Sequence, residues 1–394
     1  RNKMLSRTAD HLFWMSRYME RAENTARMLN VSYETSLLPQ SAAAAQAGWE
    51  GILSISELLP SYMALYKTIN PRDVMEFMVK DADNPSSIVS CLRAARENAR
   101  AVRGTLTTEV WETQNQTWLE VNRMLKSGQF ERDPGQFFEW VKFRSHLSRG
   151  VTVGTMLMDE ALHFMRLGTF LERADNTARL VDVKFHAMDN DYFGMPQTGG
   201  QSEAAQEYDF YHWSAILRSV SGFEVYRKVY RDVIKPERVA ELLILRPDMP
   251  RSLLASLNEV VSNLVLVGAD PAGLAMRHAG RLRADLQYGL IDEILANGLH
   301  AFLICHVDRH EAHLAPRRPQ LVFQRPTALV LIGGDHHAGA GPGKRAVELA
   351  GGQRAVEEHR MQFVAYAEVE RQLAVDAEIV LRENAGVIRK PVDV

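Results

Sequence analysis

Two segments of this chain carry the same string of charged and amide side chains. Glu20, Arg21, Asn24 and Arg27 recur as Glu172, Arg173, Asn176 and Arg179, with no gap between the aligned segments. The match runs from His11 to Leu29 and from His163 to Val181, and Glu23 stands opposite Asp175. At 100° per residue, Arg17, Glu20, Arg21, Asn24 and Arg27 share one helix face, with Trp14, Met15, Tyr18, Met19, Ala22, Ala26 and Leu29 on the other side. The second copy repeats the stripe, but Thr169 stands where the first has Arg17.

Three kinds of chemistry suit this pattern. Guanidinium forks bind carboxylates and phosphates through two parallel hydrogen bonds, so Arg17, Arg21, Arg27, Arg173 and Arg179 could hold an anion that Glu20, Asn24, Glu172, Asp175 and Asn176 orient. Glu20 and Glu172 could divide acid and base roles in one pocket. Or the two stripes could tie their helices together as a buried ionic network. A solvated face with local ion pairs, each contributing roughly 0.2–0.5 kcal/mol, explains the amphipathicity but not the recurring identities. An internal repeat is the economical reading. Arg96-Glu97-Asn98-Ala99-Arg100 is a weaker echo.

The elements needed to position these stripes read as helices, and the fold class expected is an all-α multi-helix bundle with an internal helical repeat. Helical patterning covers 8–38, with Thr8 as N-cap, then 47–68, 73–79 and 86–125, the last capped through Asp83-Asn84-Pro85-Ser86. Asp133-Pro134 opens another helix that breaks near Gly150, and a long one covers 153–188. Residues 189–203 form a loop between two halves. Helices resume over 206–232, 236–245, 250–266 and 271–303. Strand signals are nearly absent from 1–303. After 304 the composition turns to His, Arg, Pro and Gly, so residues 304–394 read as an irregular C-terminal appendage to the helical domain, with one short strand at 328–332 and a helix between Glu357 and Asn384.

Composition narrows the classes. Across 394 residues, 46% are hydrophobic and 24% charged, an ordinary globular balance. The net charge of -3 gives no general attraction to nucleic acid or to an anionic membrane, and no apolar run is long enough to span a bilayer. Two cysteines, Cys91 and Cys305, with no CxxC and no leader-like segment, fit a reducing cytoplasm.

Other candidate sites are weaker. His306, His310 and His313 could share a helix face and bind zinc, but Pro316 and the neighbouring arginines favour irregular chain, so no metal and no cofactor is expected. Gly339-Ala-Gly-Pro-Gly-Lys344 lacks the phosphate-loop spacing and a following hydroxyl. His11 and His163 fall on the apolar sides of their helices and read as satisfied core histidines, and Trp111, Trp118 and Trp213 as core.

Tyr18-Met-Glu-Arg-Ala-Glu-Asn-Thr-Ala-Arg27 and Phe170-Leu-Glu-Arg-Ala-Asp-Asn-Thr-Ala-Arg179 resemble the alpha-E domain family, a bacterial helical domain named for its Glu-Arg motif. Residues 90–100, 110–115 and 213–219 support the resemblance, which covers residues 1–303. The resemblance implies an ATP-grasp family protein as partner and, in some settings, a transglutaminase-like peptidase. The function expected from it is an accessory or binding module for an ATP-grasp amide or peptide ligase. The alternatives are a transferase or hydrolase using the paired Glu-Arg motifs, and a purely structural scaffold.

Overall fold

The computed structural model describes residues 4–38, 42–192, 203–299 and 302–303. Expectations for Cys305, for the histidine series after it, for the glycine-rich segment and for the rest of 304–394 lie outside them.

The described residues form helices, with no strand among them. The first group is α1 (Ser6–Ser36), α2 (Ala42–Ile55), α3 (Leu59–Leu65), α4 (Pro71–Val79) and α5 (Ile88–Ala101). Then come α6 (Thr108–Lys126), α7 (Gln129–Arg132) and α8 (Pro134–Thr155). The last group is α9 (Glu160–Tyr192), α10 (Glu203–Ser219), α11 (Phe223–Tyr230), α12 (Pro236–Ile244), α13 (Leu253–Leu266), α14 (Leu274–Gln287) and α15 (Ile291–Ala296). None of these helices is long and apolar enough to cross a membrane.

Several expected helices are divided, each for a local reason. The 47–68 stretch breaks at Ser56-Glu57-Leu58, where Glu57 takes a left-handed φ of 56° and Leu58 N donates back to Leu53 O. The 206–232 stretch breaks in the same way at Ser221, φ 52°, with Gly222 N bonded to Leu217 O. The 86–125 stretch divides because Thr107 caps a new helix by accepting from Val110 N. Gly150 does not end α8, which continues to Thr155, so α9 starts at Glu160. The helix expected to follow Pro250 starts at Leu253, because Ser252 rather than proline is its cap. The 271–303 stretch divides between α14 and α15. Leu5, not Thr8, precedes α1.

Helices α9–α13 correspond in order to α1–α5. Both α4 and α12 have nine residues and begin at proline. Both α5 and α13 have fourteen and are capped by serines, Ser87 and Ser252, whose hydroxyls also donate to the carbonyls of Asp81 and Arg246. Tyr62 and Tyr226 each donate a phenolic hydrogen to the loop ahead, at Thr68 O and Val233 O. His11 meets Asn98 at 2.7 Å, and His163 meets Asn263 at 2.9 Å, so both histidines are satisfied within the bundle. The loop expected over 189–203 is helical at its ends, since α9 continues to Tyr192 and α10 starts at Glu203, and its remaining residues lie outside the described ones.

The core forms around α1 and α9. Contacts advance along both in the same direction, from Met4–Glu160 through Phe13–Gly168 to Arg21–Glu172, so the two helices run parallel. Helix α5 covers α1, α13 covers α9, and α8 packs on α1 and α6. Helix α1 is therefore enclosed on its polar face as well: Arg17, Glu20, Glu23, Asn24 and Arg27 are all buried. The solvated-face reading fails there.

Candidate functional site

The Glu-Arg pairs meet each other across the α1–α9 contact. Arg21 donates from Nε to Glu172 Oε1 at 2.6 Å and from Nη2 to Oε2 at 3.0 Å. Reciprocally, Arg173 donates from Nε to Glu20 Oε1 at 3.0 Å and from Nη2 to Oε2 at 3.2 Å. Both carboxylates are gripped by a two-nitrogen fork, the strongest geometry available to this pair. Glu20 and Glu172 are 1% and 3% exposed, so water contributes little to stabilising either charge.

Beyond this shared motif the two ends differ. Glu172 receives a second arginine from its partner helix: Arg17 Nε donates to Oε2 at 2.7 Å. Thr169, the counterpart of Arg17, is too short to do the same for Glu20, and its hydroxyl bonds to Met165 O in its own helix. Glu20 is held instead by Arg149 of α8, at 2.7 Å, and by Arg251 from the turn before α13, at 3.0 Å. The same two arginines reach Glu23, each at 2.5 Å, and Ser145 donates to it at 2.7 Å. Arg251 also donates to Asn24 Oδ1. Arg27 closes the cluster through Glu23, with its Nη1 donating to Ser221.

Of the residues singled out from sequence, Arg17, Glu20, Arg21, Asn24, Arg27, Glu172 and Arg173 are brought into this cluster. Asp175 and Arg179 pair with each other and Arg179 also with Glu57, while Asn176 lies half-buried on the same helix. Sequence reasoning left out Glu23, although its counterpart Asp175 was included. It also missed Arg149, Arg251 and Ser145, which lie far from the motif. One signal for Arg251 was available: residues 235–267 align with 70–102 without a gap, and Arg251 falls opposite Ser86.

Electrostatics keeps these glutamates ionised. Burial alone would raise the Glu172 carboxyl, but Arg21 and Arg17 outweigh it and bring it from an ordinary 4.5 to about 2. Burial opposes ionisation of Glu20 and Glu23 too, but Arg173, Arg251 and Arg149 overcome it at Glu20, and Arg251, Arg149 and Arg27 at Glu23, leaving both below the usual carboxylate range. Both carboxyls of the Glu-Arg pairs, Glu20 and Glu172, are shifted downward, so their environments do not set one apart as an acid and the other as a base. The paired glutamates are fixed anions, and the acid–base expectation is unsupported by this arrangement.

The Glu20 end opens into a pocket of about 170 Å³ between α1, α6, α8 and α9. Arg149, Arg166 and Arg173 line it, with Glu20 the one carboxylate among the lining residues. Arg166 is tied to Glu259 at 2.6 Å, and both Arg166 and Arg173 lie over the Phe170 ring. Arg149 and Arg166 are 29% and 32% exposed, so they face solvent as well as the pocket.

A family model, Alpha-E, described as a predicted alpha-helical domain with a conserved ER motif, matches residues 4–312. No curated protein and no solved structure matches the chain. In the repeated string the Glu-Arg dipeptides are Glu20-Arg21 and Glu172-Arg173, the four residues of the reciprocal forks.

Proposed function

The chain belongs to the Alpha-E family, and on that premise we propose that it is a binding module that works with an ATP-grasp amide or peptide ligase. The observation that carries this reading is the division of labour among the arginines. Those facing Glu172 are committed to holding α1 and α9 together, whereas two of the three around Glu20, Arg149 and Arg173, also line an open pocket. ATP-grasp chemistry activates a carboxylate as an acyl phosphate, and a guanidinium-lined cleft suits the charge of such a group or of its acceptor. The saturated glutamates support binding rather than catalysis.

Co-expression of the full chain with an ATP-grasp ligase, followed by size-exclusion chromatography, tests the partnership. Co-elution at a mass above either protein is expected. Separate elution at micromolar concentration overturns it. The catalytic alternative makes a different demand: acyl transfer or hydrolysis by the chain alone, abolished by Glu20→Gln in protein that remains folded.

A further inference from the structure

We infer that the pocket beside Glu20 is a site for a small oxyanion-bearing molecule, a carboxylate or phosphate about the size of an amino acid. The inference rests on the reading of the domain as a binding module and specifies what it binds.

The argument begins with the unequal ends of the α1–α9 contact. At the Glu172 end, Arg17 reaches across to the carboxylate at 2.7 Å and stacks 5.1 Å from the Trp14 ring. Its counterpart at the Glu20 end is Thr169, which lines the pocket. A guanidinium still reaches Glu20 Oε2, but from Arg149 of α8, and the short Thr169 side chain borders the pocket where α9 has no arginine to extend. The pocket wall carries three guanidinium groups, Arg149, Arg166 and Arg173, with Glu20 the one carboxylate among the lining residues, while Arg149 also binds Glu23 and Arg166 binds Glu259. An incoming anion meets Arg149, Arg166 and Arg173 at the pocket wall and shares them with the carboxylates they already hold, with Arg251 still on Glu20.

The walls set the rest of the ligand. Ser16, Ser148 and Thr152 place short hydroxyls along α1 and α8. Met15, Met19 and Met165 provide a polarisable and adaptable apolar surface. The volume of about 170 Å³ holds roughly ten waters, and so a molecule of roughly ten non-hydrogen atoms. A charged head against the arginines and a short apolar body against the methionines satisfy both surfaces.

The test uses isothermal titration calorimetry on the full chain with glutarate, inorganic phosphate and, as a cationic control, 1,5-diaminopentane. Thr169→Arg rebuilds the filled arrangement of the other end, and Val153→Trp blocks the exposed rim without entering the core. Thermal unfolding confirms that each variant is folded. Binding of glutarate or phosphate, weakened about tenfold or more by either variant and absent for the diamine, supports the site; which anion binds identifies the source of the oxyanion. No anion binding at about 10 mM, weaker than a millimolar Kd, overturns it, as does binding unchanged in both folded variants. Ligand binding without ligase co-elution would remove the partnership and leave the pocket standing. Co-elution without ligand binding would do the reverse.

Discussion

Gly168 lies against the backbone of Phe13 so closely that a Cβ built on it would sit 2.2 Å from the Phe13 carbonyl oxygen. This is where α1 and α9 come together, and the consequence is felt about one turn further along. Arg21 reaches Glu172 and Arg173 reaches Glu20 through Nε, the inner nitrogen of the guanidinium, at 2.6 and 3.0 Å. Wider-spaced helices would leave only the terminal nitrogens within range. The glycine therefore sets the separation on which both forks depend.

Gly168→Ala is expected to destabilise the protein. Alanine gains about 1 kcal/mol in helix propensity. Overpacking typically costs about 1–3 kcal/mol, and here the opposing atom belongs to a rigid helix backbone rather than a flexible side chain, so the cost exceeds the gain. A net loss of about 1–2 kcal/mol should appear in urea denaturation at neutral pH. A variant as stable as the parent would mean that the helices slide apart at little cost.

Glu172→Gln keeps the shape of the side chain but leaves Arg17 and Arg21 facing a neutral amide inside the bundle. Breaking a buried pair by removing one partner costs about 3–5 kcal/mol. Glu97→Gln is the control: it breaks the surface pairs that Glu97 makes with Arg96 and Arg100, where less than about 1 kcal/mol is expected for each. Similar losses for the two would show that the Glu172 forks contribute no more than an ordinary surface pair.

The helical class and most of the Glu-Arg cluster were legible in the sequence because both rest on local spacing. Glu20, Arg21, Glu172 and Arg173 sit in a repeated string, and the stripe follows from helical geometry. What spacing could not give is burial. Helix α1 carries polar residues on a face covered by α8, α9 and α10, and spacing alone left open whether that face met water or other helices. Arg149 and Arg251 were missed because they reach Glu20 and Glu23 from α8 and from a turn more than two hundred residues away in the second case. Helix breaks at Glu57 and Ser221 were missed because neither residue announces a left-handed φ, which glycine or asparagine would have done. Thr169 was visible as a departure from Arg17, but only the fold shows that Thr169 lines a pocket and that Arg149 of α8 binds Glu20 instead.

Acid should weaken the fold through the same carboxyls. Glu172 titrates near 2 in the folded protein against an ordinary 4.5, so between those values the unfolded chain binds more protons. Its contribution is complete above about pH 4.5 and is lost as pH falls toward 2, on the order of 3 kcal/mol. Glu20 and Glu23 act in the same direction. Urea midpoints measured from neutral pH down to about pH 3 should fall steeply for the parent and less steeply for Glu172→Gln. Parallel slopes would remove Glu172 as a source of the acid sensitivity.

Cys91 offers a way to watch the cluster open. It is a free thiol on the face of α5 that packs against α1, fully buried, close enough to Arg21 and Glu172 for their charges to act on it, and burial pushes its pKa up to about 12. The thiolate is the reactive form, so at neutral pH the native thiol is both shielded and protonated. Iodoacetamide should leave the Cys91 peptide unmodified in the folded protein and label it fully in urea, as read by mass spectrometry. In the native state any labelling must pass through an opening of α5 from α1, and its rate then follows the population of that open form when closing is fast. Glu172→Gln, which loosens α1 from α9, is expected to accelerate labelling in proportion to its loss of stability if α5 leaves only when the bundle unfolds as a whole. An acceleration far smaller than that loss would show that α5 opens by itself, independently of the Glu-Arg forks.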